Sequence, residues 1–314
     1  MDGSGRAMMC ALAATLALTA CASRPPAPPS PAPAPESYTA ETTYAKLAPA
    51  YPFIRIASRA VPPTVRAITN VTYVRRAGHD LQLDLYLPAA AATAPRPAIV
   101  FVHGGGWRAG VRANFAPMAI RMAERGYAAA TISYRLAGEA RYPAAIHDAK
   151  AAVRWVRAHA AEYGVDPQRV GVMGFSAGGE LVSLVADNPE PPQRGPADAL
   201  DRLSARPDFQ VLVYPGDAGT PAQAVDKAPP AFLVAGSRDA CCLAPSLTLY
   251  QQLVKAGVSA ELHLYADTDH AFNMGQRGER VSLQHWPDRL SDWLSDGGWL
   301  VPRNGRKPEG VPAP

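Results

Sequence analysis

Five residues near the middle of the chain, Gly174-Phe175-Ser176-Ala177-Gly178, place a serine between two glycines in the spacing G-x-S-x-G. A serine hydroxyl is a weak nucleophile until a turn exposes it and a base takes its proton. The spacing meets the first need. Glycine two residues before and two after lets the backbone double back so tightly that a β-carbon at either place would strike neighbouring backbone. Ser176 is then pushed to the apex in strained geometry. An apolar run over 170–174 precedes it and a helix-like run over 177–186 follows. That strand-then-helix context is what the motif requires, and the helix N-terminus then favours a developing anion at the site.

A second motif, His103-Gly104-Gly105-Gly106-Trp107, follows the apolar run 98–102. Consecutive glycines let backbone N–H groups come close to a substrate oxygen. The N–H groups of Gly105, Gly106 and Ala177 form the expected oxyanion hole, and loss of one such donor costs about 2.7–4 kcal/mol of transition-state stabilisation. His103 reads as a structural hydrogen-bonding residue rather than a base. The two motifs together resemble the α/β-hydrolase esterases with a glycine-triplet oxyanion loop, in their acetyl-xylan-esterase-like and hormone-sensitive-lipase-like branches. Tyr142-Pro143-Ala144-Ala145 with Asp148, and then 163–170, match the usual approach to the nucleophile in that family. The resemblance spans roughly 70–296 and implies a serine carboxylic-ester hydrolase. Glu180 departs from it, standing where many relatives carry histidine.

In this fold the order along the chain is serine, acid, histidine. Asp239 leaves the end of the strand expected at 231–235, and His270 leaves the end of the next at 260–265. Both therefore emerge at the C-terminal edge of the sheet beside Ser176. His270 is the expected base and Asp239 the residue that fixes its tautomer and stabilises the imidazolium. His79, His147, His159, His263 and His285 fall in a turn, in helices or mid-strand. Asp267 and Asp269 lie too close in sequence to His270 to orient it easily.

The elements that must position these residues follow from periodicity. Segments 71–75 and 81–87 alternate apolar and polar residues around 77–80, as a hairpin does. Apolar runs of strand length follow at 98–102, 128–134, 170–175, 209–214, 231–235 and 260–265. Continuous runs of that kind suit strands buried on both faces. Helical spacing appears over 113–125, 144–163, 177–186, 243–256 and 281–294, with Gly126, Gly164 and Gly257 at helix ends. The expected architecture is an α/β-hydrolase fold: a mostly parallel eight-stranded sheet with an antiparallel N-terminal hairpin, helices on both faces and no large lid. With no lid insertion after Ser176, an open site for a small acyl group is expected, with Trp107 and Tyr214 as candidate lining residues.

Composition bounds the remaining choices. Hydrophobic residues make up 48% of the 314, enough for a substantial core, and a net charge of +4 is too mild to argue for nucleic acid. The four cysteines are not a disulfide framework: Cys10 and Cys21 are N-terminal, and Cys241 and Cys242 are adjacent, where two small loop residues or a vicinal disulfide are the alternatives. No metal or organic cofactor is expected. Residues 1–21 read as a lipoprotein-type signal peptide, basic Arg6 then an uncharged run too short for the ~20 residues of a spanning helix. Leu18-Thr19-Ala20-Cys21 resembles a bacterial lipobox, with Cys21 as the lipidated residue and a membrane as its partner. Seven prolines between Arg24 and Pro35 suit an extended stem. The expected division is 1–21 leader, 22–65 Pro-rich linker and lead-in, 66–300 catalytic domain and 301–314 loose tail. The expected substrate is a short-chain ester, small or carried on a polysaccharide. Formamidase-like amide hydrolysis and a non-catalytic glycan-binding surface lipoprotein are the alternatives.

Overall fold

In a computed structural model, the described residues are 38–76, 78–91, 93–187, 200–217 and 225–300. The expected leader with Cys21, the Pro-rich stem and the tail 301–314 lie outside them. One eight-stranded sheet organises the domain, in the order β1-β2-β4-β3-β5-β6-β7-β8. These strands are β1 Val65–Arg76, β2 His79–Pro88, β3 Arg96–Val102, β4 Ala128–Ile132, β5 Val165–Phe175, β6 Gln210–Val213, β7 Ala231–Gly236 and β8 Ala260–Tyr265. β2 runs antiparallel to both β1 and β4, and every other neighbouring pair is parallel. The architecture is the α/β-hydrolase one.

The hairpin is tighter than alternation alone suggests. Pairing continues through Arg75–Asp80 and Arg76–His79, leaving 77–78 between the strands. Charged residues end the apolar pattern there but not the ladder, because Arg75 Nε donates to Asp80 Oδ1 at 2.9 Å across it. β5 starts earlier than expected for a related reason. The Pro167-containing stretch carries no apolar run, yet its start at Val165 pairs with Arg96 of β3.

Side chains alternate across the sheet into two cores. Ala98, Val100 and Val102 of β3 face one layer, with α3 Ala144–Ala158, α5 Ala177–Asp187 and α6 Leu243–Lys255. Ile99 and Phe101 face the other, with α2 Ala116–Glu124 and α8 Trp286–Asp296. A strand with both sets buried reads as a continuous apolar run. Two long helical segments are broken. The 144–163 segment divides at His159 into α3 and a short α4, Ala160–Tyr163, which ends at left-handed Gly164. The 281–294 segment divides at His285 into α7 Val281–Gln284 and α8, with Pro287 in the first turn of α8, where its missing N–H costs nothing. Among the described residues no helix is long and apolar enough to cross a membrane.

Before the sheet begins, α1 Ala40–Leu47 is capped by Thr39, whose hydroxyl accepts the Thr42 N–H at 3.2 Å while Thr42 Oγ1 accepts the Thr39 N–H at 2.9 Å. The lead-in is thus ordered across the stretch where Pro49 and Pro52 argue against a long helix.

Candidate active site

Ser176 sits between β5 and α5 with φ 55°, a left-handed backbone that a residue bearing a side chain adopts only under constraint. The constraint is visible on both sides. A β-carbon on Gly174 would lie 2.1 Å from the Gly178 carbonyl oxygen, and one on Gly178 would lie 2.3 Å from that of Val102. The Ser176 N–H donates to Val213 O at 2.9 Å, and its carbonyl accepts the Glu180 N–H at 3.0 Å. Strand pairing and the first helical turn thus hold the strained residue from either end.

His270 and Asp239 come to it from the loops after β8 and β7. Ser176 Oγ is 2.8 Å from His270 Nε2, and His270 Nδ1 is 2.7 Å from Asp239 Oδ2. The Asp239 side chain is fully buried, and its other oxygen accepts the N–H groups of Cys241 and Cys242 at 3.2 and 3.0 Å. A buried carboxylate so supplied keeps Nδ1–H donating to it, which leaves Nε2 free to accept the serine proton. Tyr214 packs edge-on to the imidazole at 4.8 Å, and its hydroxyl donates to Asn273 Oδ1 at 3.1 Å. Burial drives that phenol's pKa well above its ordinary value. With φ 38° Tyr214 is itself strained, on the edge that carries Ser176.

The rivals are engaged elsewhere. Asp267 pairs with Arg238 at 2.6 Å and with Arg280. His263 pairs with Glu261, His285 with Asp288 and His79 with Glu139, while His159 stacks on Trp155. His147 lines a separate cleft with Lys150 and Arg154.

The glycine loop abuts the nucleophile. A β-carbon on Gly104 would sit 2.6 Å from Phe175 O, so the loop could not approach the elbow with any other residue there. Gly105 has φ 127° and Gly106 φ 61°, placing both in conformations that favour glycine. His103 props the loop from behind: it is 2% exposed and stacks on Tyr134 at 4.4 Å. Its Nδ1 is 2.9 Å from Gly104 O, and the Tyr134 hydroxyl donates to His103 O at 2.8 Å. Burial lowers its pKa to about 4, so the ring is neutral at neutral pH. Of the two expected lining aromatics, Tyr214 faces the cavity. Trp107 packs against the core, with its indole N–H donating to buried Glu180 at 3.1 Å. Glu180 thus acts as the acceptor that holds the end of the glycine loop.

The cavity over Ser176 has a volume of about 80 Å³. Its floor includes Gly104, Ser176, Tyr214 and Asn273, and its roof is the lead-in, through Tyr38, Tyr44, Ile54 and Ile56. The lead-in thus narrows one side of the site. The residues that line it on that side come from before β1 rather than from a segment after Ser176. Proline punctuation hid them, since an eight-residue helix and an extended strap carry little periodicity. Cys241 and Cys242 are joined as the vicinal disulfide, one of the two alternatives open from sequence.

A serine at a strained strand-to-helix turn, with its histidine and acid following in chain order, defines an α/β hydrolase, and comparison with known proteins places esterases around it. The BD-FAE family profile matches residues 83–193. Ethyl acetate hydrolase of Pseudomonas putida is 33% identical over 162 residues, 51% of this chain and 48% of that protein. Carboxylesterase NlhH of Mycobacterium tuberculosis is 45% identical over 108 residues, 34% of each chain. The chain spans half or less of the length of these curated relatives. Among solved structures, esterase 2 of Thermogutta terrifontis, phosphonylated by cyclosarin, superposes with a TM-score of 0.67 at 29% identity, over 78% of this chain and 98% of that one. The acetyl ester-xyloside bifunctional hydrolase of Caldicellulosiruptor lactoaceticus gives 0.63 at 26%, over 71% and 90%. The chain has the α/β-hydrolase fold and is similar in sequence and structure to esterases.

Proposed function

We propose that the protein is a serine carboxylesterase acting on short-chain acyl esters. The observation that carries this is the continuous chain from Ser176 Oγ through His270 to buried Asp239, at 2.8 and 2.7 Å, opening into a cavity of about 80 Å³. His270 Nε2 takes the serine proton as Oγ attacks the acyl carbon. The carbonyl oxygen becomes an anion facing the N–H groups of Gly105, Gly106 and Ala177. The imidazolium, held by Asp239, then protonates the departing alcohol and leaves an acyl-serine. Water, deprotonated by the same nitrogen, attacks that acyl group and releases the acid. The cavity supports a small acyl group: it is roughly half the ~150 Å³ of an apolar cavity that takes up benzene.

One experiment separates this reading from its rivals. Hydrolysis is measured on a p-nitrophenyl series from acetyl to dodecanoyl, on acetylated xylan and on an N-formyl aromatic amine, with fluorophosphonate labelling alongside. Turnover should be best from acetyl to butyryl and fall steeply beyond about eight carbons, as rejection of ~1–3 kcal/mol per methylene accumulates once the pocket ends. The label should map to Ser176 and vanish in Ser176→Ala. Preference for the formyl amide, or labelling elsewhere, overturns the assignment. Release of acetate from xylan would extend the substrate class to polysaccharide.

We further propose that the protein is exported and held in the bacterial envelope through lipid on Cys21, on the strength of Leu18-Thr19-Ala20-Cys21 and the proline-rich stem after it. Radiolabelled palmitate should enter the full-length chain and not Cys21→Ser. Equal absence of label from both would refute the anchor.

A further inference from the structure

The sulfurs of Cys241 and Cys242 take no part in the hydrolysis derived above. They are bonded to one another on the turn from β7 into α6. Cys241 Sγ stands 3.2 Å from Asp239 Oδ1 and 3.4 Å from His270 Nδ1. With Cys242 Sγ, one ligand atom from each of the four residues lies within 4.8 Å of all the others. Asp239 and Cys242 are buried while Cys241 is exposed, so the cluster has a closed floor and a side open to solvent.

The scale of this cluster is that of a metal site. With bonds of about 2.3 Å to thiolate and 2.0–2.1 Å to imidazole, the edges of a tetrahedral zinc site measure about 3.4–3.8 Å. Cys241 Sγ and His270 Nδ1 are already at that spacing. What keeps the site shut is the disulfide, because a bonded sulfur offers no thiolate. Reduction yields two thiols that can turn apart about their own side-chain bonds. Their deprotonated forms are ligands of soft and borderline divalent cations.

We propose that reduction of the Cys241–Cys242 bond opens a site for one thiophilic divalent cation, of the Zn²⁺ or Cd²⁺ class, held by both thiolates and His270 Nδ1 with Asp239 beside them, and that its occupation stops hydrolysis. The inhibition follows from which nitrogen is taken. A cation on Nδ1 displaces the proton that Asp239 holds, and its charge opposes the gain of a second proton at Nε2 from Ser176. The esterase becomes sensitive to such a cation only when the surroundings are reducing. The reduction balances with a trialkylphosphine: phosphorus attacks one sulfur and the S–S bond breaks. Water supplies the oxygen of the phosphine oxide and the two thiol protons. Each thiol then gives up its proton as the cation binds.

The inhibitory half rests on the esterase reading, and the binding half does not. The full-length chain is reduced with a water-soluble trialkylphosphine, desalted without oxygen and titrated with Cd²⁺. The ultraviolet thiolate-to-cadmium charge-transfer band and the rate on a butyryl ester are followed together. The expected result is a component of the band that saturates at one Cd²⁺ per chain and is missing from Cys241→Ser/Cys242→Ser. It should be accompanied by at least a ten-fold loss of rate that EDTA reverses. The unreduced chain and the double variant, each referred to its own rate without Cd²⁺, should keep their rates. A band as strong in the double variant as in the reduced wild type overturns the site. A band specific to the two cysteines with no loss of rate overturns the inhibition. No hydrolysis before Cd²⁺ is added would instead sink the esterase reading, and the band would still decide the site.

Discussion

Floor and roof of the cavity are held in different ways. Ser176, His270 and Asp239 stand at the ends of strands, and β5 is buried from Val170 to Phe175 and β7 along its whole length. Left-handed backbone at Ser176 and Tyr214 is imposed by pairing on either side. The roof touches the body through far less. The Asn114 amide donates to Tyr38 O at 2.8 Å and the Arg55 N–H donates to Gln276 O at 3.3 Å, while the Arg59–Glu41 ion pair joins α1 to the strap within the roof itself. No residue of α1 is buried. Single hydrogen bonds contribute about 0.5–1.5 kcal/mol and the burial of Ile54 about 1.5–3 kcal/mol, so a few kcal/mol displaces the roof. The floor would have to unfold first. On the proposed mechanism, the reacting atoms are thus over-determined, while the surface proposed to meet the acyl chain is held loosely enough to vary.

The sharpest way to break this contrast is to weaken the floor chemically without disturbing its packing. Asp239→Asn is nearly isosteric and should leave the fold in place. The amide can accept from the two turn N–H groups, but it lets the imidazole take the wrong tautomer and cannot stabilise the imidazolium. In the protease triad the equivalent change costs about ten-thousand-fold in kcat. An alcohol is an easier leaving group than an amine, so a loss of at least about 100-fold is expected here, with partial recovery at high pH as hydroxide replaces the base. Asp267→Asn should cost far less, because Asp267 is committed to Arg238 and Arg280. If Asp267→Asn cripples the enzyme and Asp239→Asn does not, the acid lies on the other loop.

A smaller effect comes from the prop beneath the glycine loop. Burial lowers the His103 pKa from 6.5 to about 4, so the fold favours the neutral ring. Its contribution to stability is complete above pH about 6.5 and is lost as pH falls from there toward 4. At 1.36 kcal/mol per unit, about 2 kcal/mol should have gone by pH 5. Urea unfolding of wild type and His103→Gln at pH 7 and pH 5 isolates this: the stability difference between the two should shrink by about that amount. A difference that stays flat would mean the ring is not confined as its stacking on Tyr134 implies.

What the sequence made legible tracks the same division. Short apolar runs gave the buried strands, and the glycines around Ser176 gave the elbow, because both patterns are dictated by packing that leaves no alternative. Chain order placed Asp239 and His270 together, since parallel strands deliver their following loops to one edge. Trp107 was harder: an aromatic beside a glycine loop can face the substrate or the core, and only the position of Glu180 one helical turn past Ser176 decides it. Tyr214 holding Asn273, and the roof, depend on contacts between segments far apart in sequence, where periodicity carries no information.

The roof itself offers the mildest and most specific test. Ile54 is 4% exposed and lines the cavity. It belongs to the extended strap after α1, not to the sheet, so trimming it leaves the triad's supports untouched. Ile54→Ala removes three carbon atoms from the ceiling, room for about as many methylenes of a longer acyl chain. Because each methylene accommodated in a pocket is worth ~1–3 kcal/mol and the roof will partly settle into the space, a gain of about ten-fold in the octanoyl-to-butyryl ratio of kcat/KM is expected. The butyryl rate should change little, since Ser176, His270 and Asp239 keep their distances. A parallel loss on both esters would mean that Ile54 supports the floor as well, and the separation of the two regions would fail. An unchanged ratio with full activity would mean that the acyl chain leaves Ser176 in another direction and that the strap covers the alcohol side.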